Sequence, residues 1–170
     1  MVLVSLPVLD GTPVPPMTVD KDDRLLLREL IADARLSHRE LSRRTGLSLA
    51  TVNRRVRRME ESGVIRGYSA RVDPEAVGWH LSVLVGLRIE KGHLRAVQQE
   101  ISRDPRIVGV YDITGDWDGF VVARLRDRRD LDDLAKTTLS GPHILRTSTM
   151  VVLDTVDEHA IVPLPPSGGL

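Results

Sequence analysis

The sequence predicts an α+β protein, an N-terminal winged helix-turn-helix followed by a C-terminal ferredoxin-like βαββαβ domain. Three observations predict it. Apolar residues recur at helical spacing up to about Ser62 and then alternate from Leu81 onward. Two short helices with N-cap residues flank a four-residue turn holding Gly46, which is helix-turn-helix arithmetic. Between Ser37 and Arg71 nine arginines stand against three acids (Glu40, Glu60, Glu61), in a chain whose 24 Lys+Arg and 24 Asp+Glu otherwise cancel.

The elements follow in order. Residues 1–17, with four prolines, read as a flexible extension without the basic start of a signal peptide. A first helix opens near Asp20, whose neighbours Asp22 and Asp23 suit the helix dipole, and carries the stripe Leu26, Leu27, Leu30, Ile31 and Ala34. Ser37 and Glu40 form a capping box that starts a second helix, stopped by Gly46. Ser48 caps a third helix over Leu49–Ser62, which Gly63 ends. At 100° per residue, Val52, Val56 and Met59 share one side of it, and Ala50, Arg54 and Arg57 the other. Val64 to Val72 read as a short hairpin or wing. These parts make residues 18–72 one domain, and 73–78, with Pro74 and Gly78, a linker.

Residues 79–157 form the second domain. Leu81–Ile89, Ile107–Thr114, Phe120–Leu125 and Leu145–Leu153 read as strands. Leu94, Val97 and Ile101 mark one helix, and Leu131, Leu134, Ala135 and Thr138 another. The order β-α-β-β-α-β is the split ferredoxin-like motif. Residues 158–170 read as a frayed tail.

Composition removes whole classes of function. Without cysteine there is no disulfide, no thiol nucleophile and no Cys-ligated metal. No apolar run is long enough to cross a membrane, so a cytoplasmic protein without a membrane partner is expected. His38, His80, His93, His143 and His159 are scattered without metal-ligand spacing, so neither a metal site nor catalytic residues are expected. The arginine-rich third helix instead points to double-stranded DNA, because a helix with small residues in its first turn fits the major groove. On this reading Arg54, Arg57 and Thr51 read bases, with Ser48 and Ala50 allowing close approach. Arg43, Arg44, Arg55, Arg58, Arg66 and Arg71 neutralise phosphates.

The runs Glu40 to Ser48, Thr51 to Glu60 and Gly63 to Tyr68, taken with Thr114-Gly115-Asp116-Trp117-Asp118, resemble the Lrp/AsnC family, the feast/famine transcriptional regulators of bacteria and archaea. The resemblance spans roughly Val19 to Asp157. It implies a sequence-specific DNA-binding regulator, dimeric through its regulatory sheets and assembling further into tetramers or octamers. It also implies an amino-acid effector near the Gly-x-x-Asp loop and no other cofactor. Physically, Gly115 permits a tight turn whose N–H groups could receive an α-carboxylate, and Asp116 or Asp118 could hold an α-ammonium. Thr114 and Trp117 complete the loop, and Thr147, Ser148 and Thr149 offer hydroxyls to the same cleft. Alternatives stay open at this level: a polar turn that binds nothing, Trp117 as a subunit-contact anchor, an architectural chromatin-like binder, or a relative of haem-precursor decarboxylases.

Overall fold

The computed structural model describes residues 18–156; the expected extension and the tail beyond 157 lie outside the described residues. Two units divide between Ser69 and Ala70.

In the first unit, α1 (Lys21–Ala32) starts at a reciprocal capping box. The Asp20 carboxylate accepts the Asp23 N–H at 2.9 Å, and the Asp23 carboxylate accepts the Asp20 N–H at 3.2 Å. Helix α2 (His38–Thr45) has only half of the box expected at Ser37 and Glu40. Ser37 Oγ accepts the Glu40 N–H, but the Glu40 carboxylate turns to Arg43 and Arg44, at 2.6–2.9 Å. Two guanidinium groups hold that carboxylate more strongly than one exposed backbone N–H can. Gly46 then closes the helix at φ +74, a left-handed conformation that a β-carbon would strain.

Ser48 accepts the Thr51 N–H and starts α3 (Leu49–Glu61). Leu26 and Leu30 of α1, Leu41 of α2, and Val52, Val56 and Met59 of α3 form one buried cluster. Each such side chain contributes roughly 1.5–3 kcal/mol by leaving water. The stripe expected on α1 ends early: Ile31 is 84% exposed, and the helix stops before Ala34. The segment after α3, expected as a short hairpin or wing, forms no strand. An isolated two-stranded ribbon has too little to bury; Val64 and Ile65 instead pack on the helical cluster.

In the second unit a short 3-10 turn (Glu75–Val77) precedes β1 (Leu81–Ile89), α4 (Leu94–Ile101), β2 (Ile107–Asp112), β3 (Gly119–Leu125), α5 (Arg128–Lys136) and β4 (Ile144–Val151). The sheet order is β2-β3-β1-β4 with every pair antiparallel, which is the ferredoxin-like arrangement. Val83, Val85, Leu87 and Ile89 alternate onto the face that packs with Val97 and Ile101 of α4 and Leu134 of α5. Register puts Leu84, Gly86, Phe120, Val122, Tyr111 and Met150 on the opposite face. Arg106 ties the β2 entrance to α5 by donating to Asp104 and Asp133, at 2.7 Å each.

Three carboxyls are held near pKa 2 by the fold. Asp20 is lowered by the Asp23 N–H and then by Arg55, Glu40 by Arg43 and then Arg44, and Asp130 by Arg126. Because the folded values lie below the ordinary 3.8 and 4.5, their contribution to stability is complete above the unfolded values and is lost as pH falls through the folded ones. Urea denaturation followed by circular dichroism is expected to show these groups adding no slope from pH 7 to 5. Stability then falls steadily from about pH 4 to 2.

Candidate nucleic-acid interface and effector cleft

Helix α3 separates its arginines by partner. Arg55 leans back over the start of α1, where Nη1 donates to Asp20 at 2.6 Å and to Asp23 at 2.9 Å, and Nη2 donates to Asp22 at 2.9 Å. Arg58 Nη2 donates to the other oxygen of Asp23 at 2.6 Å. The Asp23 side chain is fully buried, and that of Arg55 is only 16% exposed. The expectation that Arg55 meets phosphate is therefore corrected. On the helical wheel it falls about 60° from Val52, on the flank of the buried stripe, so it enters the protein and neutralises a carboxylate that could not stay charged alone. Its pKa is raised by Asp20 and Asp23.

The other predicted contacts remain outward. Arg57 is 80% exposed and pairs with Glu61 along its own helix at 2.7 Å. Arg58 keeps about half its surface despite its bond to Asp23. Arg54 is exposed and has no hydrogen-bond or salt-bridge partner among the described residues. It lines a shallow open depression with Ala50, Asn53, Arg57, Arg58 and Glu61. Ser48 and Ala50 are exposed in the first turn and Thr51 is half-buried, its hydroxyl 2.9 Å from that of Ser48. Arg43 shares Glu40 with Arg44, which also reaches Glu29. Arg66 and Arg71 are exposed on the strand-free segment after α3. Sequence reading passed over Asn53, whose side-chain oxygen lies 2.5 Å from Nδ1 of His38, so that the α2 start is fastened to the outward face of α3.

In the second unit the loop between β2 and β3 folds onto the sheet. Trp117 lies flat against Gly86, where a β-carbon would meet the indole at 2.7–2.9 Å. Asp118 anchors the loop. Its N–H donates to Leu87 O at 2.9 Å, and its carboxylate accepts the Ile89 N–H at 2.9 Å and Arg88 Nη1 at 3.2 Å. The guanidinium of Arg146 stands 5.3 Å from the Trp117 ring centre, a cation–π distance. Arg88, Asp116, Trp117 and Arg146 line an open cleft of about 330 Å³.

This geometry rearranges the expected effector residues. Asp116 faces the cleft, whereas Asp118 has already spent its carboxylate on β1. Thr114 and Gly115 are exposed, Gly115 at φ +116. Ser148 sits opposite Gly86 and so shares the Trp117 face, but Thr147 and Thr149 pair with Leu87 and Val85 and project to the helix side. Three consecutive residues of a strand cannot line one cleft, because successive side chains alternate. Arg88 and Arg146, which the sequence did not single out, stand at matching register across β1 and β4 on the cleft side. The scattered histidines also need correction. The fold brings His93 and His143 into ring contact beside Glu90.

Comparison with known proteins agrees with both halves. A winged helix-turn-helix DNA-binding family model matches residues 20–66, and the Lrp/AsnC ligand binding domain matches residues 82–162. The HTH-type transcriptional regulator FL11 of Pyrococcus horikoshii is 33% identical over 146 residues, covering 86% of this chain and 97% of that protein. The chain belongs to the Lrp/AsnC family. A solved Lrp/AsnC-type neighbour, the feast or famine regulatory protein of M. tuberculosis complexed with L-methionine, superposes with TM-score 0.75 at 34% identity, over 83% of this chain and 96% of that one. A transcriptional regulator of Neisseria meningitidis in complex with L-Met reaches TM-score 0.76 at 27% identity, covering 86% and 97%. Like these relatives, the chain is a helix-turn-helix transcriptional regulator. No helix among its described residues is long and apolar enough to cross a membrane.

Removing Arg54 and Arg55 is expected to give opposite phenotypes. Arg54→Ala should leave thermal melting unchanged and relax sequence preference in a binding assay. Arg55→Ala should lower melting of the first unit by on the order of 10 °C, because it weakens the pairing of a buried carboxylate. Gly86→Ala should displace Trp117, seen as a red shift of tryptophan emission together with a lower melting temperature.

Proposed function

We propose that this Lrp/AsnC regulator reads an operator in the major groove with the outward face of α3 and adjusts its DNA affinity to an amino acid bound against Trp117. The unpartnered, exposed Arg54 beside Ala50 and Arg57 carries the first part, since a free guanidinium next to a small residue can approach a guanine edge bidentately. Thr51 and Ser48 support the same face. Arg43, Arg44, Arg57, Arg58, Arg66 and Arg71 supply positive charge toward phosphates, the Glu40 and Glu61 pairs being exposed and exchangeable at little cost.

The cleft of Asp116, Trp117, Arg88 and Arg146 supports the effector reading. Arg146 and the exposed N–H groups near Gly115 suit an α-carboxylate, Asp116 suits an α-ammonium, and the indole face suits an apolar side chain. The methionine complexes of two relatives favour an amino acid of that kind. The apolar sheet face of Leu84, Phe120, Val122 and Met150 favours a dimer through the regulatory sheets, assembling further to tetramers or octamers, with two α3 helices meeting successive major grooves. The regulator acts in the cytoplasm on double-stranded DNA and catalyses no reaction.

The deciding experiment is selection of bound duplexes from a random pool, repeated with a mixture of amino acids. A pseudo-palindromic consensus that Arg54→Ala blurs supports the assignment of the reading face; uniform recovery of all sequences favours an architectural binder instead. Titration of apolar amino acids is expected to quench Trp117 and shift the assembly mass by light scattering. Arg146→Ala should weaken that response roughly tenfold, as loss of a charge-assisted contact implies.

A further inference from the structure

We propose that Glu90, His93 and His143 form a site for a divalent first-row transition metal on the regulatory unit, separate from the cleft at Trp117. One ligand atom from each lies within 4.8 Å of the other two. The imidazoles of His93 and His143 stack at 3.5 Å between ring centres and 9° between planes. His143 Nδ1 is 2.6 Å from Glu90 Oε2. Three segments converge here: the end of β1, the start of α4 and the turn into β4.

The backbone holds them in place. The Glu90 N–H donates to His143 O at 2.9 Å, and the His93 N–H donates to Glu90 O at 3.1 Å. His143 adopts φ +71, a conformation shown by no other non-glycine residue among those described. The His93 side chain caps no N–H of α4 although it occupies the N-cap position. Neither imidazole is therefore needed to finish a helix or fill the buried core, and both rings remain partly exposed.

Two imidazole nitrogens and one carboxylate oxygen are the donor set of zinc, nickel and copper(II), not of magnesium or calcium. Tetrahedral ligands at about 2.1 Å stand roughly 3.4 Å apart, so His143 Nδ1 and Glu90 Oε2, now 2.6 Å from each other, part by somewhat less than an ångström, and no donor in the group has to travel far. Rotation of the two rings out of their parallel stack supplies that movement and turns both lone pairs toward one point. The remaining coordination position faces solvent and takes water.

The test uses the full-length, tag-free chain titrated with Zn²⁺ by calorimetry, with Mg²⁺ as the control. One Zn²⁺ per chain is expected, with no Mg²⁺ binding, and NMR should show only the His93 and His143 ring signals shifting among the five histidines. His143→Gly keeps the left-handed backbone and His93→Asn places a residue suited to the N-cap position where His93 makes no cap bond, so both should stay folded by circular dichroism. Each should weaken Zn²⁺ at least tenfold, and Glu90→Gln several-fold. Absence of binding by the native chain, or zinc-induced shifts at other histidines instead, overturns the site. So does unchanged affinity in the double histidine variant.

Discussion

A carboxylate buried at the start of α1 decides which way the arginines of α3 face. Asp23 is fully enclosed and out of reach of water, so its carboxylate oxygens take their hydrogen bonds from the Asp20 N–H and from cations elsewhere in the fold. Arg55 and Arg58 supply them from α3. The same ion pairs, acting with the burial of Val52, Val56 and Met59, fix the roll of α3 about its axis. Once the roll is fixed, Arg54 and Arg57 can only face away. A buried pair of this kind adds little net stability over an apolar substitute, but it penalises every arrangement in which one partner is left behind. Its value here is orientation.

The regulatory unit uses a different device for the same purpose. Gly86 leaves a gap in β1 that the indole of Trp117 fills, and Asp118 fastens the loop to the backbone of Leu87 and Ile89. Arg88, Asp116 and Arg146 thus stand beside a wall already in place, which under the proposed function lowers the ordering cost of binding an effector there. The loop is anchored to β1, the strand at the centre of the sheet beside β3 and β4. The cleft and the apolar outer face of the sheet therefore share β1, the element through which the proposed effector control would couple to assembly.

Much of this was legible in one dimension. The order of elements, the turn at Gly46, the cap at Ser48, the helix start near Asp20 and the alternation in β1 are local signals, and the structure reproduces them within a few residues. The site residues divide differently. Arg54 and Arg57 follow from helical periodicity, which is local. Arg55 was misread because its three acidic partners lie more than thirty residues earlier. Its position on the flank of the buried stripe was the available signal. Thr147 and Thr149 were misplaced although strand alternation alone excludes three adjacent residues from one face. Arg88 and Arg146 carried no motif, and only the pairing of β1 with β4 sets them side by side.

By itself the sequence determined the two-part α+β architecture, the cationic helix and the loop around Trp117, since periodicity, capping and turn chemistry act over a few residues. Tertiary structure decided which arginines are consumed internally, which strand residues line the cleft, and that His93 meets His143 across fifty residues of chain. Charge and ligand geometry depend on through-space distances of a few ångströms, and those distances exist only after the helices and strands have packed.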